Sequence, residues 1–132
     1  MAFTHTTGVT YTTDAGRLAS TTTVKSADTQ LGITDTIGAN GGVTHFIIGV
    51  DVSEIESCCL FSDKDVTVNV NVDNNSVKQI ALAAGVMVTW NTDLTSSNPL
   101  GTTDWTGCYV HNDGTAVATI KFQFLVNQPS GS

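Results

Sequence analysis

Basic residues are the scarcest component of this chain. Five Lys and Arg stand against twelve Asp and Glu in 132 residues, a formal net charge of −7. So few and dispersed cations make nucleic acid a poor partner. An anionic membrane surface is disfavoured for the same reason. Charge of either sign is low at 13%, while hydrophobic residues reach 40%. That balance excludes a disordered acidic tail. No run approaches the ~18 apolar residues of a membrane span. The opening Met1-Ala2-Phe3-Thr4-His5 has neither a basic patch nor an apolar stretch, so no export leader is expected. Three cysteines are too few, and odd in number, for a disulfide framework. They also lack the Cys/His spacing of a zinc site. Free thiols are expected, with a bridge from Cys108 to Cys58 or Cys59 as the alternative.

Catalytic patterns are missing as well. There is no G-x-S-x-G and no H-E-x-x-H. His5, His45 and His111 have no motif around them and read as exposed strand residues. Glu54 with Glu56, or Asp63 with Asp65, lie two residues apart on short segments. A glycosidase pair must instead face across a cleft. Asp73-Asn74-Asn75 offers hard oxygen ligands without the spaced calcium-loop pattern. No enzyme activity, metal or cofactor is therefore expected.

What is abundant is Thr, at 22 positions, and Val, at 15. Both are β-branched and favour strands. Glu and Met, good helix formers, occur twice each. Val66, Val68, Val70 and Val72 alternate with Thr67, Asn69 and Asn71, which at 180° per residue makes one apolar face. Asp73 to Ser76 supplies a turn, and Ile80 and Leu82 are the expected inward pair of the next strand. After Ala83-Ala84-Gly85, Val86, Val88 and Trp90 share a face, with Trp90 read as core. Asn91 to Pro99 reads as a loop. Val43 to Val52 predicts a strand with Phe46, Ile48, Val50 and Val52 on one side. Val52 to Ser57 suits one helical turn, and Cys58 to Phe61 a central strand covered on both faces. Ala116, Ala118, Ile120, Phe122, Phe124 and Val126 form a long apolar ladder. Asp113-Gly114 predicts a hairpin joining it to Gly107–His111. A three-residue loop, with Gly114 left-handed, would pair Val110 with Ala116 and Cys108 with Ala118. His111 and Lys121 then face outward.

The first forty residues carry shorter strand signals at Thr10–Thr13, Ala19–Ser26 and Gln30–Ile37. They are expected to be edge strands or an extended arm, beside a core spanning 43–127. The sum is a single all-β domain of eight to ten strands: a two-sheet antiparallel sandwich, jelly-roll-like, of Greek-key type. Candidate protein-contact residues are Phe3, Tyr11, Leu94, Leu100 and Trp105. They lie in the Ala2–Thr13 segment and the Asn91–Trp105 loops, where the core signature is weakest. Trp105, in a Gly- and Thr-rich stretch, is the aromatic expected to be exposed.

One ordered set of patterns goes further. Asp51-Val52-Ser53 with Ile55 and Ser57 precedes Leu60-Phe61-Ser62-Asp63 and the Val66–Val72 ladder. Ile80-Ala81-Leu82-Ala83-Ala84-Gly85 and Val88-Thr89-Trp90 follow, then Cys108-Tyr109-Val110-His111-Asn112 and Ala118-Thr119-Ile120-Lys121. This succession, over roughly Val43 to Asn127, resembles the small β-sandwich decoration, or cement, proteins of tailed-bacteriophage capsids. It departs from that pattern at Cys58-Cys59 and in the Asn91–Pro99 loop. The resemblance implies a structural virion protein on the capsid exterior, bound to the major capsid protein. It further implies a homo-oligomer, a trimer first and a dimer second. A carbohydrate-binding module, stacking sugar on Trp105 and a tyrosine, is the alternative, and a small hydrolase the third reading.

Overall fold

The computed structural model describes residues 3–73 and 78–127. Among these residues, ten strands and one 3₁₀ turn, Val52–Glu54, make up the regular structure. The strands are β1 (Phe3–Thr13), β2 (Gly16–Ala27), β3 (Thr29–Ile37), β4 (Gly42–Phe46) and β5 (Ile55–Ser62). They continue with β6 (Val66–Val70), β7 (Gln79–Leu82), β8 (Val88–Asn91), β9 (Cys108–Asn112) and β10 (Ala118–Val126). No helix among the described residues is long and apolar enough to cross a membrane.

Two four-stranded antiparallel sheets pack as a sandwich. Sheet I has the order β3-β10-β5-β8, and sheet II the order β4-β9-β6-β7. The pairing is nested about the β6–β7 connection: β6 with β7, β5 with β8, β4 with β9, β3 with β10. This is what a long hairpin gives when it rolls up so that its arms alternate between two layers.

Alternation supplies the core. Ile33, Phe122, Leu60 and Val88 form one inward row across sheet I. Thr44, Val110, Val68 and Ile80 form the matching row of sheet II. Phe122, Phe124, Leu60, Val68 and Val110 are fully buried. Each such side chain contributes about 1.5–3 kcal/mol relative to exposure. Ile80 and Leu82 point inward as their spacing predicts.

The strongest correction concerns the C-terminal hairpin. Strands β9 and β10 do not pair: β9 lies in sheet II and β10 in sheet I. Val110 pairs with Thr44 and Val68, not with Ala116, and Cys108 pairs with Phe46 and Val70. Each strand has one strongly apolar face, and placing them in opposed sheets buries both. That long-range gain outweighs the local Asp113-Gly114 turn signal. The chain crosses between layers around Asn112, which is fully buried. Its Nδ2 donates to Ala116 O (2.8 Å) and Ile37 O (3.2 Å), and its Oδ1 accepts from Gly114 N (3.1 Å). The left-handed residues at this end are Asn40 (φ 59°) and Gly41 (φ 86°), not Gly114.

Smaller corrections follow the same logic. The strand expected through Val52 ends at Phe46, because its partner β9 begins only at Cys108. Val50 instead forms an isolated bridge with Trp105. Val72 leaves the ladder because Asn71 turns left-handed (φ 69°), and Val72 is exposed. Val86 is likewise exposed, ahead of β8. The expected turn at Asp73–Ser76 falls largely outside the described residues.

Residues 3–27 build the third sheet, an antiparallel ribbon of β1 and β2 paired from Phe3↔Ala27 to Thr13↔Gly16 with a register shift between Tyr11 and Thr12. Residues 29–37 are an edge strand of the sandwich, as one of the two expectations had it.

Candidate interaction surfaces

Three surfaces carry the side chains with binding or chemical potential: the ribbon and its anchor, the outer face of sheet II, and the loop between β8 and β9.

The ribbon is held at its base. His5 lies 3.3 Å from Ser57 Oγ on β5 and 3.1 Å from Gln30 Oε1 on β3. Lys25, paired with His5 in the ribbon, donates to Asp93 beyond β8 (2.5 Å). Beneath it Leu125 on the outer face of sheet I is fully buried, and Ser57 and Ala27 are buried too. The coverage expected on both faces of β5 is thus provided in part by the ribbon. A cleft of about 530 Å³ remains between Thr7, Gly8 and Val9 above and Cys59, Thr89 and Met87 below. Farther out, Gly8–Val9–Thr10 and Ala19–Thr22 are exposed.

On the outer face of sheet II, one cross-strand row reads His45, Tyr109, Asn69, Gln79. The His45 and Tyr109 rings stack in parallel, with centroids 4.0 Å apart and planes 4° from coincident. Gln79 Nε2 donates to Asn69 Oδ1 (2.8 Å), and Asn69 Nδ2 donates to Asp73 O (2.9 Å). In the next row His111 bonds the Asp73 carboxylate. His111 does face outward, and Lys121 is exposed on sheet I, as their parity predicts. Every histidine nevertheless has a side-chain partner, which the lack of motif did not suggest.

The loop from Thr92 to Gly107 closes one end of the sandwich, and here the sequence reading fails. Trp105 is 1% exposed and Leu100 0%. Trp105 exchanges two backbone bonds with Val50 and meets Phe124 edge-on at 5.5 Å. Its indole N–H donates to Leu100 O (3.3 Å). The loop is folded back by Asx contacts: Leu100 N and Thr106 N donate to Asn98 Oδ1 (2.9 Å) and Asn71 Oδ1 (2.7 Å). Asp104 Oδ1 accepts Val52 N (2.9 Å). Trp105 and Leu100 are therefore core residues, unavailable to a partner. The overlooked signal was the Asn98-Pro99 turn directly ahead of Leu100, five residues before Trp105. Trp90, read as core, is half-buried on the edge strand β8, with its N–H donated to Ser96 O (2.9 Å). Of the other contact candidates, Phe3 is 37% and Leu94 46% exposed. The Tyr11 side chain lies outside the described residues.

The thiols are free. Burial pushes Cys58 up to about 12, helped by neighbouring Cys59 and opposed by a backbone hydrogen bond at Trp90. Burial likewise pushes Cys108 up to about 12, and raises Cys59. Neutral thiols of this kind are poor nucleophiles and ligands. No group of three His, Cys, Asp or Glu that could hold a metal occurs among the described residues. The calcium-like Asp73-Asn74-Asn75 segment falls mostly outside them.

Compared with family models, curated proteins and solved structures, the chain matches none.

Proposed function

We propose that this protein is a non-enzymatic cement protein that binds the outside of a tailed-phage capsid and stabilises the assembled shell. The observation that carries this reading is the ribbon: a Thr-rich β-hairpin anchored at one end to the sandwich, with Gly8–Thr10 and Ala19–Thr22 exposed beyond the anchor. Such a ribbon offers main-chain hydrogen bonds to a neighbouring sheet edge without a preformed pocket. The nested strand pairing supports a jelly-roll scaffold, and the ordered sequence patterns support the cement family. A net charge of −7 suits an outer surface better than the lining of a DNA-filled interior. Binding only to the assembled lattice stabilises that lattice by mass action.

Co-sedimentation of the purified protein with shells of the matching major capsid protein tests the reading. Saturable binding to shells, with none to free capsid subunits, is expected. Equal binding to subunits, or no binding to either, contradicts it.

A glycan-binding module is the second reading, and His45 with Tyr109 is the aromatic surface that favours it. Trp105 cannot serve as its platform, since the indole is buried.

A further inference from the structure

An ion pair joins the ribbon to the sandwich, from Lys25 Nζ to Asp93 Oδ1 at 2.5 Å. In a chain with only five Lys and Arg, one is committed to this contact. Lys25 is the cross-strand partner of His5, so two side-chain fastenings share one rung of the ribbon. The His5 ring bonds Gln30 Oε1 on β3 (3.1 Å) and Ser57 Oγ on β5 (3.3 Å). The amide oxygen of Gln30 only accepts, so His5 Nε2 carries the proton and Nδ1 takes the Ser57 hydroxyl. Gln30, Leu125 and Ser57 are successive partners across sheet I. A ring bonded to both outer members therefore lies over Leu125, which is fully buried.

Beyond that rung the two bodies separate. Thr7, Gly8 and Val9 overlook the cleft of about 530 Å³ above Cys59, Thr89 and Met87. Val9 and Met87, on either side of it, are 62% and 58% exposed. The ribbon itself is well tied. Its ladder runs from Phe3↔Ala27 to Thr13↔Gly16, and the Thr4 and Thr10 hydroxyls meet Ser26 and Ser20 across it. Only Asp28 separates β2 from β3. A continuous hairpin, a fastened rung beside a one-residue joint, and an unfilled space under the rest make a hinged arm. Segments held by few apolar contacts open locally at far less cost than the whole domain unfolds.

We propose that the β1–β2 ribbon is a strap latched at the His5–Lys25 rung, which swings off sheet I as one body and uncovers Ser57, Cys59 and Leu125. In the cement reading, the released strap is the form that reaches a neighbouring sheet edge. The swing itself does not depend on capsid binding, and the two can fail separately.

Cys59, half-buried on the floor of the cleft, is the natural reporter. The full chain is treated with N-ethylmaleimide, or with a maleimide carried on a polyethylene glycol chain, and the labelled positions are mapped by mass spectrometry. The small reagent fits the standing cleft, whereas the polymer needs the strap lifted. The ratio of the two rates cancels the reactivity of the thiol, which burial lowers. In the wild type the polymer should label Cys59 far more slowly than the small reagent, and faster as salt screens the Lys25–Asp93 pair. His5→Ala removes two hydrogen bonds and should speed polymer labelling about tenfold. Asp93→Ala, at a residue that does not line the cleft, should speed it about two- to fivefold and abolish the salt dependence. Cys58 and Cys108 should stay unlabelled throughout. Polymer labelling as fast as the small reagent in the wild type, or unchanged in both variants, overturns the proposal. So does labelling of Cys58 and Cys108 in step with Cys59, because the whole domain then opens and not the strap alone.

Discussion

Trp105 shows what a single residue does here. Its indole fills one end of the core against Phe124, its backbone ties to Val50, and its N–H caps Leu100. Trp105→Ala should cost about 3–5 kcal/mol, by transfer loss and residual cavity together. Urea denaturation reads this directly. Leu94→Ala, at an exposed loop position, should stay within about 0.5 kcal/mol of wild type in the same assay. The thiols give a pH signature. Below pH 9.0, the ordinary thiol value, Cys58 and Cys108 keep their protons both folded and unfolded. Between there and about 12 the unfolded chain loses protons that the folded chain retains. The unfolded state therefore gains, and stability falls with rising pH, by up to about 1.4 kcal/mol per pH unit per thiol. Denaturation midpoints measured from pH 8 upward should show this alkaline decline, and a Cys58→Ala/Cys108→Ala variant should show a shallower one.

Among the elements, the crossing from β9 to β10 matters most. Asn112 satisfies Ala116 O, Ile37 O and Gly114 N at once, from a fully buried position. Asn112→Ala strands these groups and should cost about 1–3 kcal/mol, measurable by thermal or urea unfolding. This crossing was also the least legible part of the sequence. Parity along Phe122–Phe124 and Val66–Val70 identified the strands and their inward faces, because alternation is a local property. Which sheet each strand joins is decided by contacts between residues far apart in the chain, as with Val110 against Thr44 and Val68. A local Asp-Gly turn signal cannot report that competition. The β8–β9 loop was misread for a related reason. Its Gly and Thr content suggested solvent, while the Asx bonds from Asn71 and Asn98 that fold Trp105 inward depend on the finished end of the sandwich. The ribbon was only partly legible. Its Thr-rich strands were foreseen, but as shorter pieces, since few bulky side chains marked their ends.

For the molecule as a whole, an acidic sandwich carries a Thr-rich ribbon whose Lys25 is paired with Asp93 of the sandwich. Its described interior is saturated: no buried side-chain polar atom there lacks a hydrogen bond. Cementing requires many modest contacts repeated over a lattice, so that avidity replaces single-site strength. Release of packaged DNA on heating or in low salt, compared between complete particles and particles lacking this protein, tests that role most directly. Complete particles should retain DNA to a higher temperature, with the difference restored by adding the purified protein back. Equal release from both would contradict the cement role.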